Sequence, residues 1–522
     1  MRSVKESAIR NGARVDRTFE ACYDAGKLTS EMIELLIPRR KILFFDWRDI
    51  ACGTLKWTTP DGRHLGVELR DPPPQVECHA DASACAYGVR LAAQPARKIE
   101  PYREWLGWGR IIYDEGRYRT WHLEVDGHSK LCSGCPAHQV APNEITIVAE
   151  ESNDGFEWRT VARCDIDATG QQHYDSLTFM IDDNGKPEVR YKIVYSAWPP
   201  DDVYERLMAE YAKRPACRQD PRTMNGRPDC LYAATSPDGL NWTAHHEPLA
   251  LHMSDTDTSL FYDAWWGRYV MYVRISHNGG RAVGRMESHD FVHCGPIHPV
   301  LWPRLHDPVN MDVYLNAYST YPDLPECRLM FPNFYDRFTE QSQIRLYSSI
   351  DGIAWDQVPG SPVIVPGEPG EWDSEFICGG KDLVPFDGGD KIAIPYAGTA
   401  FPHKYPRWPN VYDAWRQGWA WWPKDRLCAV TADRQGEFHT VEIVPAGREM
   451  RLNFRTPRGG EVRVGIDGVE GHSVDDCDPM HGDCTDRVVT WNGISDIGVA
   501  DGRPVTLHFK LRSAELFAVE WV

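Results

Sequence analysis

Acidic residues stand just ahead of apolar, β-rich runs at widely separated places in this 522-residue chain. His173-Tyr-Asp175 precedes Leu177-Thr-Phe-Met-Ile, and Asp255-Thr-Asp257 precedes Ser259-Leu-Phe-Tyr. His306-Asp307 and Met311-Asp312 precede Val313-Tyr314. Glu371-Trp-Asp373-Ser-Glu375 precedes Phe376, and Arg103-Glu104-Trp105 leads toward Arg110-Ile-Ile-Tyr. Two carboxyl groups facing each other across a ligand supply a proton donor and a base or nucleophile, and a third can hold their pKa values apart. A single Asp before a strand is ordinarily a turn or capping residue. Recurrence at equivalent positions is what points to at least two catalytic acids. Asp257 and Asp312 occupy the cleanest positions and rank first. Asp175 follows as a second carboxylate or modulator, Asp373 and Glu375 compete for one position, and Glu104 is the acid nearest the first strand pair.

Such acids can meet only if something brings distant strands together. The pattern S-x-D-G-x-x-W runs from Ser152 to Trp158, from Ser236 to Trp242 and from Ser349 to Trp355, with a degenerate copy at Ser288-His-Asp290-Phe291. Asp-Gly is a tight-turn signal, because Gly accepts positive φ and Asp caps the turn. Each copy reads as a hairpin between two outer strands. One interval is long because it contains Trp198 to Pro228, where Val203, Leu207 and Tyr211 follow Asp201 and Asp202 at helical spacing. With that insert set aside, the unit is about 50 to 60 residues, the length of a four-stranded propeller blade. Between the hairpins lie five further strand pairs, beginning near Gly109, Leu177, Ser259, Tyr314 and Phe376. The expected fold is all-β: a five-bladed β-propeller over 85–446 and an antiparallel β-sandwich over 447–522, where apolar residues alternate in short runs. Residues 1–84 read as a lead-in packing on the propeller, with a helix over Ser30 to Ile37. In a propeller the innermost strand of each blade starts near the axis, so the acids listed above would ring a central funnel.

Composition agrees with this and removes other classes. There are 42 Gly and 38 Pro, which favours turns over long helices. The formal net charge of −19 argues against nucleic acid and anionic membrane as partners. No apolar run is long enough to span a bilayer as a helix. The polar start Met1 to Gly12 lacks a signal-peptide core, so a cytoplasmic location is expected, or a secreted or periplasmic one if a leader was trimmed. The 15 cysteines are scattered and read as reduced thiols. Cys132-Ser-Gly-Cys135 and the Cys477, His481, Cys484 group each stand alone and read as loop or core residues. No P-loop, G-x-S-x-G or H-E-x-x-H occurs.

The hairpin pattern, the blade count and the β-rich tail together resemble the propeller glycoside hydrolases: the arabinanase and β-xylosidase families and their invertase, levansucrase and inulinase relatives. The likeness covers about residues 85–522 at the level of architecture. The invertase motif W-M-N-D-P-N-G is absent, and Arg70-Asp71-Pro72 and Glu77-Cys78 lie too close together to be supplied by two blades. The resemblance implies a glycosidase, exo-acting on a furanoside or a plant- or algal-type glycan, using a carboxylate pair. In these families the general acid is commonly a Glu of the third blade, where this chain has Asp257. For substrate binding the expected residues are His173, Arg274, His306, His403, Trp105 and Trp372, with His403 similar to an axial histidine that holds a central ion or water. Apart from a central calcium ion, no cofactor is expected. Two alternatives stand beside this reading: a non-catalytic carbohydrate-binding propeller, and a phosphorylase on the same scaffold.

Overall fold

The computed structural model describes residues 38–51, 55–58, 64–65, 77–80, 86–104, 110–125, 145–164, 166–167, 171–213, 230–252, 254, 258–403 and 414–522. Among these the chain is nearly all β, with many antiparallel sheets and few helices. An α-helix of eleven residues, Asp201–Tyr211, lies in the predicted insert and buries Val203 and Tyr211. The helix expected over Ser30 to Ile37 falls outside the described residues.

Two compact units divide the chain: residues 92–427, and residues 1–91 together with 428–522. In the first unit the sheets follow one another in sequence. Ile112–Asp114, Arg117–Val125, Ile145–Ser152 and Trp158–Cys164 make the first sheet. Gln172–Ile181, Tyr191–Trp198, Cys230–Ser236, Trp242–Ala244 and the parallel edge strand Ile166–Asp167 make the second, and Ser259–Asp263, Arg268–His277, Gly280–Ser288 and His298–Leu301 the third. The fourth runs Tyr318–Tyr321, Leu324–Met330, Tyr347–Ser349 and Asp356–Gln357, and the same stretch of chain carries a separate three-stranded sheet of Met311–Leu315, Asn333–Asp336 and Ser342–Ile344. In the fifth, Phe376–Gly379 and Val384–Phe386 flank Lys391–Thr399, which pairs with Arg416–Pro423. Its outer edge comes from the beginning of the unit, Arg97–Lys98 and Arg103–Glu104.

The cores lie between sheets. In a strand buried on both faces, alternate residues serve two neighbours. Ile193 and Tyr195 pack toward Trp121 and Leu123 of the first sheet, while Val194 packs toward Leu260 and Met271 of the third. Val270 and Tyr272 then join Tyr318 of the fourth sheet and Val313 of the three-stranded sheet, and Tyr314 and Tyr335 join Phe376 of the fifth. The last cluster joins Phe386 and Trp419 of the fifth sheet to Ile111 and Tyr118 at the start of the first.

Every S-x-D-G copy forms the same turn between the third and fourth strands of its sheet. In the second sheet, Asp238 Oδ1 accepts the backbone N–H groups of Leu240 and Asn241 at 2.8 and 2.9 Å, and Ser236 Oγ accepts that of Gly239 at 2.9 Å. Gly239 has φ +77°, and its carbonyl accepts the Trp121 indole N–H of the first sheet at 2.8 Å. A Cβ there would lie 2.9 Å from that indole, which is why the position is glycine.

In the other unit, Leu507–Trp521 is the long central strand of a seven-stranded sheet that includes Cys428–His439, Met450–Arg455, Glu461–Ile466 and Asp483–Val488. Lys41–Leu43 pairs with this strand in the register Lys41↔Glu520, so the described N-terminal segment contributes to the C-terminal sheet. The compact units divide after residues 91 and 427, and backbone pairing by Cys428–His439 continues the C-terminal sheet upstream of residue 447.

Candidate functional site

Bonds between sheets tie the starts of the inner strands into a row. At the second sheet, Ser196 Oγ donates to the Ser254 carbonyl at 2.7 Å, and Ser176 Oγ to the same oxygen at 3.4 Å. The Ser254 hydroxyl bonds Thr258 at 3.0 Å, and His252 Nε2 lies 2.7 Å from the Arg274 carbonyl. The Arg274 guanidinium then donates to the Tyr314 carbonyl at 2.7 Å and lies over the Tyr314 ring at 4.2 Å. Tyr314 Oη meets His403 Nε2 at 2.8 Å, and the His403 ring stacks on Phe376 at 4.3 Å. This row passes from the second sheet to the fifth. Of the expected residues it brings Arg274 and His403 together around Tyr314, with Asp312 two residues earlier on the same strand.

Asp257 and Trp105 lie outside the described residues, although Ser254 and Thr258 on either side of Asp257 are buried. Asp175 and His173 lie on the strand Gln172–Ile181, where the ladder shifts register on both sides of Asp175; their side chains are outside the described set.

Asp312 is 1% exposed. Its Oδ2 receives Arg281 Nη1 at 2.6 Å and its Oδ1 the Arg281 backbone N–H at 3.0 Å, with Arg337 Nε 3.7 Å away. Arg281 also lies 5.1 Å from the Tyr314 ring centre. Both carboxylate oxygens thus accept protein donors, an arrangement that positions a strand and a guanidinium. Beside it, Tyr335 packs edge-on against Tyr314, and burial together with its bond to Glu340 pushes the phenol well above its ordinary range.

Asp373 and Trp372 are placed elsewhere than expected. Asp373, 1% exposed, accepts Lys98 Nζ at 2.7 Å and the Tyr396 hydroxyl at 3.0 Å. Lys98 belongs to the outer edge of the fifth sheet, so this carboxylate ties that edge to the sheet. Burial and the neighbouring Asp373 charge push the Tyr396 phenol up. Trp372 lies over Gly398 and Gly418, where added Cβ atoms would come within 3.0 and 3.1 Å of its ring. Glu375 is half-buried and faces Gln341 Nε2 at 3.3 Å. Glu104 is exposed on the strand Arg103–Glu104 and pairs in register with Arg416. It does not open the first sheet, because the chain uses this stretch to complete the fifth. His306 is exposed on a turn; its neighbour Asp307 is the buried member, held by Arg345 at 2.7 Å.

A second cluster was missed by sequence reasoning. Arg110, just before the first inner strand, donates through Nη1 to the carbonyls of Phe179 at 2.6 Å and Leu260 at 2.9 Å. Its Nη2 reaches Asp382 Oδ1 at 2.8 Å, and Nε bonds the other carboxylate oxygen. One guanidinium therefore ties the segment before the first sheet to strands of the second and third sheets and to the connection between Phe376–Gly379 and Val384–Phe386 of the fifth. Lys381 Nζ meets Thr178 Oγ1 at 3.2 Å, and the Leu383 N–H donates to Ser319 Oγ at 2.8 Å. The signal was available in Gly379-Gly380-Lys381-Asp382: two glycines and two charges interrupting an apolar strand mark a bulge that turns side chains aside.

No family model matches the chain. A curated relative, the A type blood N-acetyl-α-D-galactosamine deacetylase of Flavonifractor plautii, is 24% identical over 266 residues. The match takes in 47% of this chain and 32% of that protein, so the chain spans about a third of the relative's length. Among solved structures, an N-acetylgalactosamine deacetylase from F. plautii in complex with blood group B trisaccharide gives a TM-score of 0.36 at 12% identity, over 65% of this chain and 97% of that one. A thermostable family-43 glycoside hydrolase gives 0.41 at 14% identity, over 62% and 92%. A fructofuranosidase from Schwanniomyces occidentalis complexed with fructosylnystose gives 0.39 at 9% identity, over 82% and 96%.

Proposed function

We propose that residues 92–427 form a five-bladed β-propeller whose central well is the active site of a carbohydrate-active hydrolase, with a β-sandwich built on the C-terminal strands. The propeller reading is supported by the cores shared between successive sheets, by the cluster that joins the fifth to the first, and by the N-terminal edge strands that complete the fifth. The observation that carries the functional reading is the row of bonds from Ser176 through Ser254 and Arg274 to Tyr314 and His403. It supports a common site for the segments bearing Asp175, Asp257 and Asp312.

In this reading Asp257 is the proton donor or nucleophile and Asp175 the second carboxylate. Asp312 is a positioning residue that holds Arg281 beside the Tyr314 ring. Arg274 and His403 set Tyr314 from opposite ends, and loop aromatics such as Trp105 provide a stacking face for a sugar. The substrate class is an oligo- or polysaccharide, with cleavage of a terminal glycosidic bond.

A second reading is favoured by the curated relative: removal of an N-acetyl group from an amino sugar. The deciding experiment incubates the full chain with aryl furanosides, aryl pyranosides and N-acetylated oligosaccharides, and measures released aglycone and released acetate. Aglycone supports the glycosidase and acetate the deacetylase. Neither product across a broad panel, with saccharide binding retained, sinks both and leaves a binding propeller.

A further inference from the structure

We propose that His439, His508 and Asp467, on the C-terminal sheet, form a binding site for a divalent transition-metal ion of the zinc type. His439 and His508 sit directly opposite each other on the paired strands Cys428–His439 and Leu507–Trp521. Their rings are stacked, with centres 4.1 Å apart and planes 22° from parallel. Asp467 follows the strand Glu461–Ile466, which pairs with the other side of Leu507–Trp521; its backbone N–H donates to the Thr506 carbonyl at 3.0 Å. Three adjacent strands thus deliver one donor each. A ring nitrogen from each histidine and a carboxylate oxygen of Asp467 all lie within 4.8 Å of one another, and His439 Nε2 is 3.6 Å from Asp467 Oδ2.

The donor types match a divalent ion. Two imidazoles and one carboxylate are a donor set that zinc accepts, leaving a fourth position for water. The side chains of His439 and His508 are 13% and 17% exposed, and that of Asp467 is 48% exposed, which leaves an entry path. An orienting carboxylate is also present. Glu437, two residues before His439 and so on the same face of its strand, lies 2.6 Å from His508 Nε2 and accepts the Tyr87 hydroxyl at 2.6 Å. Carboxylates that hold a ligating histidine in this way fix its tautomer and orientation. Small side-chain rotations bring the three donors to bonding distances of about 2.0 to 2.2 Å from one ion.

The test uses the full chain, stripped with a chelator and titrated with Zn2+ by calorimetry, and with Co2+ by visible absorption. The expected result is one saturable ion whose affinity falls at least about tenfold in His439→Gln and in His508→Gln, with a smaller loss in Asp467→Asn. The Co2+ spectrum should show nitrogen and oxygen ligation without thiolate charge-transfer bands, which separates this site from the cysteines. Should a histidine variant fail to fold, the exposed Asp467→Asn and the wild-type Co2+ spectrum still decide. No saturable binding by the wild type, binding equal in all variants, or a thiolate spectrum overturns the proposal.

Discussion

The S-x-D hairpins and the starts of the first strands in the sheets of residues 92–427 solve opposite problems. Each turn is closed locally: a Ser hydroxyl and an Asp carboxylate accept backbone N–H groups within five residues, and the pattern repeats at Ser152, Ser236 and Ser349 with Gly at the fourth position and at Ser288 with Phe291 there. The inner starts are held by partners 20 to more than 250 residues away, such as Ser254 with Arg274 and Arg110 with Asp382. Local closure makes the outer edge a repeating unit. Non-local closure leaves each inner position free to carry a different side chain, which is what a single asymmetric site requires.

Breaking the inner side should have the larger consequences. Arg110→Ala leaves Asp382 and two carbonyls without their shared donor. We expect a loss of about 3 to 5 kcal/mol in stability, read from chemical unfolding of the purified chain. Unfolding midpoints equal to wild type would remove Arg110 as the common tie. Asp257→Asn should lower turnover on whichever substrate the panel identifies by about a hundredfold or more, with the melting curve unchanged. Retained turnover rejects its catalytic role. Asp312→Asn, by contrast, should lower the melting temperature together with activity, because both of its oxygens hold Arg281.

The hairpins sharpen the comparison at smaller scale. Gly352 has φ +73°, and a Cβ there would come within 2.6 Å of Arg285 Nη1 and 2.9 Å of Tyr272 Oη. Gly352→Ala should cost about 2 to 3 kcal/mol, against about 1 for Gly116→Ala, which has similar φ and open space around it. Equal costs would mean that the hairpin does not dock against its neighbour. Ser236→Ala, which removes a turn acceptor, should cost about 1 kcal/mol.

The smallest effect is on pH dependence. Asp154 is held below its ordinary range first by the Glu157 backbone N–H, Asp238 by that of Asn241, and Asp290 by the His293 side chain. A depressed folded pKa stabilises fully above the unfolded value and is lost as pH falls through it. Stability should therefore decline below about pH 4, and Asp238→Asn should flatten part of that slope. An unchanged slope would show that the turn carboxylates do not govern the acid limb.

The hairpins, the strand pairs and the Asp201–Tyr211 helix were legible in the sequence because each is decided within about ten residues, by turn chemistry and periodicity. The candidate site was legible only in part. Arg274 and His403, expected because charged or imidazole groups at strand ends are conspicuous, both contact Tyr314. Asp373 and Glu104 also precede apolar runs, yet one ties down an edge strand and the other lies on it. Which strand completes the fifth sheet, and that Arg110 ties Phe179, Leu260 and Asp382 together, were decided by tertiary structure alone. The physical reason is that these choices depend on pairings between residues hundreds of positions apart, and side-chain type at one position carries no record of its distant partner.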